Sequence, residues 1–581
     1  DGVHGATMSS LELEESVPLS VVQIGDPITQ KRLHDFLLEA RDLGLYRTLT
    51  DNGAGGLSSS VGEMAQLSGG AEIDVSKCPL KYHGLVPWEI IVSESQERMT
   101  FAVPEANWSA FYELSLKRGV EASVLGTFNQ SGFFEVKVGT DTVASLPLNF
   151  LHNGLPPMQL KAYWNGNEAI LSAFKWRSVK FEPAPMVGFK QTLQQLLSRP
   201  NIASKWPWIT CYDHEVQGAT VIRPMAGMNG EAPHNAGGVW LHPHGGEMEN
   251  GVLVSAGLNP RLSLIDPYLM GVCAVDEAIR NAIVHGGNPA FTAILDNFCW
   301  PDPMQQARLE YPGPGDQKLG MLVRTLLGLR DAARALGVPM ISGKDSMKND
   351  FKGRHEDGRE ISISILPTLL VTAISRFDVR RSISPAMPGP GTCLYLMGAL
   401  RGSLSASEYG EVFGEICGAS PGDGELLWQM VENLQDMRAR YETIHQAILD
   451  GVVVSAHDLS DGGLAVALAE ILMQSKGLAL DCALPVPVDA NVLFGEGPFR
   501  ILLGVPQEKR AEFESRFPFP PHPAPGVSLG THVARRSCAS YIHYLATSET
   551  GHELKIHAQN GPMLLQMAVS EMSYFWHRRQ Q

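Results

Sequence analysis

Apolar residues recur at helical and strand spacing along most of the chain, and polar punctuation cuts the pattern into short elements. Leu33, Phe36, Leu37 and Ala40 fall on one helical face behind Gly25-Asp26-Pro27, which supplies an N-cap and a proline at the first helical position, and Gly44 ends the run. Asp266-Pro267 repeats the device ahead of Leu269, Val272, Val275, Ile279 and Ile283, closed by Gly286-Gly287. A third helix is predicted from Asp316 to Leu336, with Leu319, Leu322, Leu326, Leu329, Ala333 and Leu336 on one side. Between Pro183-Ala-Pro185 and Arg199-Pro200, the spacing of Phe189, Leu193, Leu196 and Leu197 predicts a short linker helix. Glu89–Val92, Ala293–Leu295, Val338–Ile341 and Val452–Val454 are short apolar runs that predict strands. Several end directly in polar loops, where α/β proteins place their chemistry. The fold class is therefore α/β, with α+β mixing.

A repeat overlies this pattern. Asp51-Asn-Gly-Ala-Gly-Gly-Leu57 with Glu63 matches Asp458-Leu-Ser-Asp-Gly-Gly-Leu464 with Glu470. Glu94, Arg98 and Val103-Pro104 match Glu496, Arg500 and Val505-Pro506, and Leu125-Gly-Thr127 matches Leu529-Gly-Thr531. All three matches lie at a nearly constant separation of about 400 residues, so the first and last thirds read as copies of one domain and the middle third as a different one.

Composition narrows the class. With 581 residues there is chain for about three or four domains. The hydrophobic share of 44% and charged share of 19% are those of a folded protein. A net charge of -16 argues against gripping nucleic acid or an anionic membrane over a wide surface, though a phosphate can still be held by backbone N–H groups and one or two cations. The eight cysteines are scattered with no C-x-x-C pair, which favours reduced core thiols over disulfides or zinc. No apolar run reaches the ~18 residues of a membrane-spanning helix. The opening Asp1-Gly-Val-His-Gly-Ala lacks the basic and apolar regions of a signal peptide.

Several segments offer chemistry, each with a plain alternative. Ser342-Gly-Lys-Asp-Ser346 mixes groups suited to phosphate and Mg²⁺, yet it fails the P-loop pattern and a solvated turn is as good a reading. Glu277 and Asn281 are i,i+4 and project from one helix face beside Arg280, as metal coordination requires or as a capped surface face would. Asp296 sits where a buried strand emerges, as a helix cap or a ligand. Asp51 precedes a Gly-rich turn that lets the backbone approach an oxyanion. Glu94-Ser95-Gln96 offers three polar groups in a row, or simply a β-edge turn. His242-Pro-His244 has no third ligand nearby and is set aside as a metal site. No cysteine stands in a G-x-C-x-G turn, so a glutaminase nucleophile is not expected.

Together these segments resemble the phosphoribosylformylglycinamidine synthases, ligases of purine synthesis. The strings Val22-Gln-Ile-Gly-Asp-Pro27, Ser93-Glu-Ser-Gln-Glu-Arg98, Tyr212-Asp-His-Glu-Val-Gln217, Glu277-Ala-Ile-Arg-Asn281, Ser342-Gly-Lys-Asp-Ser-Met347 and His457-Asp-Leu-Ser-Asp-Gly-Gly463 carry the resemblance. The Asp-x-x-x-Gly-Gly element is shared with the wider superfamily of aminoimidazole ribonucleotide synthetases.

That family fuses two pairs of halves, each pair an ATP-binding N-terminal-type half followed by a C-terminal-type half. The resemblance implies a C-terminal-type domain over 1–182, a linker helix over 183–200, an ATP-binding N-terminal-type domain over 201–383 and a second C-terminal-type domain over 384–581. The family's first ATP-binding half, with its catalytic histidines, has no counterpart here, so no catalytic residue is expected in this chain.

The implied reaction is ATP-dependent conversion of formylglycinamide ribonucleotide and ammonia, supplied from glutamine by a separate glutaminase subunit, into the amidine, in the cytoplasm. By position, Gln23, Glu94, Ser95, Gln96 and Ser346 fall on the ribonucleotide, and Asp296, Gly343 and Lys344 on ATP. Asp51 and Asp345 fall on Mg²⁺, and Glu277 and Asn281 on the metal of a second, structural nucleotide site. Glu496-Gly-Pro replaces Glu-Ser-Gln in the second copy, so substrate contacts are expected to be lost there. The alternatives are another superfamily synthetase or kinase, such as aminoimidazole ribonucleotide synthetase, and a non-catalytic nucleotide-binding fragment.

Overall fold

The computed structural model describes residues 25–80, 84–157, 159–164, 188–211, 214–215, 218–227, 230–303, 315–355, 357–413, 421–431, 434–484, 487–517, 542–559 and 561–578. The chain forms two compact units, Asp1–Leu160 with Lys348–Ile363, and Lys161–Met347 with Ser364–Gln581.

In the first unit, the strand Ala71–Asp74 lies parallel to Phe133–Val138 and antiparallel to Gly126–Phe128, and Asp141–Pro147 completes a four-stranded sheet. The helix Gly56–Ser68 buries Leu57, Val61 and Ala65 against Ile73, Phe134 and Val136 of that sheet. A smaller layer pairs Thr48–Asp51 antiparallel with Met99–Ala102. Phe36 of the helix Pro27–Asp42 and Phe111 of Trp108–Arg118 meet edge to face in its core, with ring centroids 4.8 Å apart. The helix starts at Pro27 and Gly44 follows it in the left-handed region, as the pattern predicts.

The second unit opens with a six-stranded mixed sheet ordered Met340–Ser346, Thr292–Cys299, Thr368–Asp378, Asn250–Gly257, Ala236–Trp240, Thr220–Ile222. Leu269, Val272, Val275 and Ile279 of the helix Pro267–Ile283 share a core with Ile294, Val371 and Ala373 of the sheet and with Leu329 and Leu336 of the helix Gly315–Leu336. Asp266 caps the first of these helices by accepting from Tyr268 N–H at 2.9 Å. Two further four-stranded sheets follow, one centred on Thr392–Met397 and Ile501–Pro506, the other on Leu478–Leu484 and Glu553–Ala558. Between them runs the helix Gly463–Gln474, buried along nearly its whole length. The linker helix forms over Phe189–Leu197, and its Leu193, Leu196 and Leu197 join the same core as Leu464, Leu468 and Trp576.

Three of the predicted strands are corrected. Glu89–Val92 belongs to a helix, Pro87–Val92, because Pro87 favours the first helical turn and Glu89 Oε2 accepts from the Val86 N–H at 2.8 Å. The Val338–Ile341 strand runs instead over Met340–Ser346, since Pro339 has no N–H to give to the ladder. Val452 and Val453 both donate to Ala447 O and finish the preceding helix, so the strand forms at Ser455–Asp458. No helix among the described residues is long and apolar enough to cross a membrane.

Candidate functional site

In the first unit, Asp51 ends its strand exposed to solvent, and its Oδ1 accepts from Gly53 N–H at 2.8 Å. Gly55 and Gly56 then both take left-handed backbone, with φ of 79° and 54°. A Cβ on Gly56 would lie 2.1 Å from Ser93 O, so only glycine lets the Ser93–Arg98 loop close onto this turn. Glu94, 5% exposed, points inward and accepts from Gly55 N–H at 3.2 Å. Gln96 stands exposed and donates to Glu94 O at 3.1 Å. The fold thus brings Glu94, Ser95 and Gln96 to the turn that follows Asp51. Gln23 lies outside the described residues.

In the second unit, Asp296, Gly343, Lys344, Asp345 and Ser346 come together on two parallel strands, with Asp296 opposite Gly343 and Phe298 opposite Asp345. Two expectations change. Asp296 is in mid-strand, not at a strand end, and Gly343–Ser346 is strand, not loop. The register explains the glycine: a Cβ at 343 would sit 2.3 Å from Asp296 Oδ1. Asp296 is held above its ordinary pKa by burial, against the Lys344 N–H that it accepts from, and Asp345 adds repulsion. Lys344 Nζ donates to Ser346 Oγ.

Glu277 and Asn281 form a separate group. They face a cavity of about 310 Å³ lined also by Lys205, Asn235, Asp458 and Glu470. A narrower recess shares Glu277, Ser460 and Asp461 and reaches Asn259 and Glu496. The wall is organised by Arg280, whose guanidinium donates to Asp276 Oδ2 at 2.6 Å and Ser460 Oγ at 2.9 Å. Asp458 accepts from Ser460 and from the Asn235 amide. His457 sits 2.9 Å from Asn235 Oδ1 and 2.9 Å from Glu470 Oε2, so both ring nitrogens face acceptors. Burial, the largest single influence, would lower its pKa, but the Glu470 hydrogen bond together with the Glu470 and Asp458 charges outweighs it and favours the imidazolium.

Carboxyl groups dominate this cavity. Burial, then Asp461, pushes Glu277 up to about 8. Burial, then Glu408, pushes Asp461 up to about 7, although the side chain keeps solvent contact inside the cavity. Burial and Asp461 hold Glu496 well above its ordinary value, while its Oε1 accepts from Gly462 and Glu408 N–H. Such a group favours either protons or a cation. The buried Asn281 Oδ1 and Glu496 Oε2 meet no hydrogen-bond partner among the described residues. Oxygen donors of this kind suit Mg²⁺, which commonly takes one or two carboxylates and completes its shell with phosphate and water. No three His, Cys, Asp or Glu among the described residues stand close enough to enclose a metal by themselves.

Sequence patterning nominated Glu277 and Asn281 but not Asn235, Asn259, Asp461 or Lys205. The repeated Asp-x-x-x-Gly-Gly element carried a signal for Asp458 and Asp461. Asn235, Asn259 and Lys205 come from segments with no pattern of their own.

The description "AIR synthase related protein, C-terminal domain" matches residues 1–139 and again 389–518, and "AIR synthase related protein, N-terminal domain" matches 242–366. The chain belongs to the AIR synthase related proteins. Within this family it is similar to the phosphoribosylformylglycinamidine synthase subunit PurL of Anaeromyxobacter sp. (strain Fw109-5), 33% identical over 528 residues that make up 88% of this chain and 64% of that protein. The chain therefore spans 64% of the length of that curated relative. Among solved structures, T. maritima PurL complexed with FGAR shares the fold at a TM-score of 0.60 and 20% identity, over 94% of this chain and 69% of that one. T. maritima PurL complexed with ATP matches at 0.55 and 20%, over 91% and 68%.

Proposed function

We propose that this chain supplies part of a cytoplasmic phosphoribosylformylglycinamidine synthase, a C–N ligase. It would use ATP and Mg²⁺ to convert formylglycinamide ribonucleotide and ammonia, released from glutamine by a separate glutaminase subunit, into formylglycinamidine ribonucleotide. The observation that carries this reading is the Ser93–Arg98 loop, closed on the Gly55–Gly56 turn so that Glu94 is buried and Ser95 and Gln96 stand beside the strand end bearing Asp51. The similarity to PurL subunits over 88% of the chain supports it.

The amide oxygen of the ribonucleotide takes the γ-phosphoryl group of ATP, and ammonia then displaces phosphate at that carbon. Such a transfer asks the protein for positioning and charge stabilisation more than for covalent chemistry. Gln23, Glu94, Ser95, Gln96 and Ser346 are assigned to the ribonucleotide, and Asp296, Gly343 and Lys344 to ATP. A lysine ammonium suits a phosphate as a mobile point charge. Asp51 and Asp345 would hold Mg²⁺, which neutralises phosphate charge when bound. The acid-lined cavity is assigned to a second, structural nucleotide with its metal on Glu277 and Asn281. The domain order remains C-terminal-type over 1–182, linker over 183–200, ATP-binding over 201–383 and C-terminal-type over 384–581.

The test is ADP release by the encoded full-length protein, with ammonia as nitrogen donor. Release that requires formylglycinamide ribonucleotide supports the proposal. Release with an aminoimidazole precursor and none with formylglycinamide ribonucleotide overturns it.

A further inference from the structure

The arginine that closes the Ser93–Arg98 loop has no assigned part in the chemistry, and its hydrogen bonds show what it does. Arg98 donates from Nη2 to Ser93 O and from Nε to Ser95 O, the latter at 2.8 Å. One planar guanidinium thus gathers the carbonyls three and five residues before it, and the intervening backbone must curl around that plane. Glu97 completes the curl in the left-handed region at a φ of 55°, a conformation that a non-glycine residue adopts at a cost. The curl turns Glu94 inward to Gly55 N–H and leaves Gln96 outward at the exposed apex.

The second copy separates scaffolding from positioning. Arg500 stands where Arg98 stands, and Phe499 repeats the left-handed backbone of Glu97 at a φ of 61°. Arg500 Nη1 donates to Gly495 O at 2.6 Å, the counterpart of the Ser93 contact. Its other donors go to Ala399 O at 2.9 Å and Leu400 O at 3.3 Å, so they tie the loop to the neighbouring strand end. The contact that both copies share is the loop anchor. The contact found in the first copy, to Ser95 O, fixes the middle of the Glu94–Gln96 stretch.

We propose that Arg98 is a positioning residue for the ribonucleotide: its Nε–H···O bond to Ser95 sets the directions of the Ser95 and Gln96 side chains. This rests on the assignment of that loop to formylglycinamide ribonucleotide. A lysine has no planar fork with which to hold both carbonyls, so the conservative exchange keeps the charge and loses the geometry.

The test is calorimetric titration of formylglycinamide ribonucleotide into the wild-type 581-residue chain and into the Arg98→Lys and Arg98→Ala variants, the latter repeated with guanidinium at millimolar concentration. Calorimetry reads the bound fraction and the affinity separately. Unchanged stoichiometry with Kd raised about tenfold in Arg98→Ala, the scale of a lost charge-assisted hydrogen bond, and a smaller rise in Arg98→Lys, supports the inference. Partial recovery of the Ala variant by guanidinium supports it further. A lowered stoichiometry at wild-type Kd marks a purely structural arginine and overturns it, as does wild-type Kd in both variants. No binding by the wild-type chain would overturn the ribonucleotide assignment itself, which is a different failure.

Discussion

The two copies of the Asp-x-x-x-Gly-Gly turn use one backbone device in opposite surroundings. In each, two left-handed glycines open a helix, a glutamate side chain accepts from the first glycine's N–H, an arginine anchors the facing loop, and a left-handed non-glycine residue precedes that arginine. Around this common frame the environments diverge. Asp51 is exposed and accepts from its own turn, whereas Asp458 is 6% exposed and is held by Ser460 and Asn235. The first loop presents Ser95 and Gln96, where the second has Gly497 and Pro498. The helix Gly463–Gln474 is buried almost throughout, while Gly56–Ser68 keeps an outer face. The frame is a folding solution, and chemistry depends on which side chains it leaves in the open.

The largest effects should come from breaking the shared frame. Gly56→Ala places a Cβ 2.1 Å from Ser93 O at a φ of 54°, and Gly463→Ala places one 2.6 Å from the Phe494 carbonyl carbon at 71°. Each is expected to cost about 3 kcal/mol or more, read in denaturant melts as loss of the unit that contains it. Next comes the arginine pair. Arg500 is fully buried with three carbonyl acceptors, so Arg500→Ala should cost about 3 kcal/mol and Arg98→Ala, with two acceptors and partial exposure, about half as much. Equal losses would show that burial does not separate the copies.

The cavity beside the second copy adds a pH signature. Glu277 keeps its proton in the folded state from its ordinary value of 4.5 up to about 8, whereas the unfolded chain has lost it. The unfolded state therefore binds fewer protons over that window, and the stability of the second unit falls as pH rises through it. Glu277→Gln should flatten the upper part of the curve, as measured by scanning calorimetry from pH 5 to 8, and Mg²⁺ with a nucleotide should offset the fall. The smallest effect on stability is expected at exposed Asp51, where Asp51→Asn should change it by no more than about 0.5 kcal/mol while abolishing, in the full-length protein, the ADP release that requires formylglycinamide ribonucleotide.

Much of this frame is legible in the sequence because it rests on local rules. Asp-Pro starts, Gly stops and i, i+3, i+4 apolar spacing place the three principal helices and the linker helix. The duplicated glycine pairs mark both turns. What escaped is one local cap and several contacts distant along the chain. Pro87 and Glu89 turn an apolar run into a helix by capping, and Asp296 lies in mid-strand because Thr292–Cys299 pairs along its length with Thr368–Asp378 on one side and with Met340–Ser346 on the other. Asn259, Asn235 and Lys205 reach the cavity through tertiary packing that no periodicity announces.

The most direct test compares matching positions of the two loops. Formylglycinamide ribonucleotide is titrated into the wild-type chain, into Gln96→Ala, and into Pro498→Ala, the same place in the second copy. One ribonucleotide per chain is expected, with an affinity weakened about tenfold or more by Gln96→Ala and wild-type affinity in Pro498→Ala. Wild-type affinity in Gln96→Ala, or a loss confined to Pro498→Ala, would contradict that expectation.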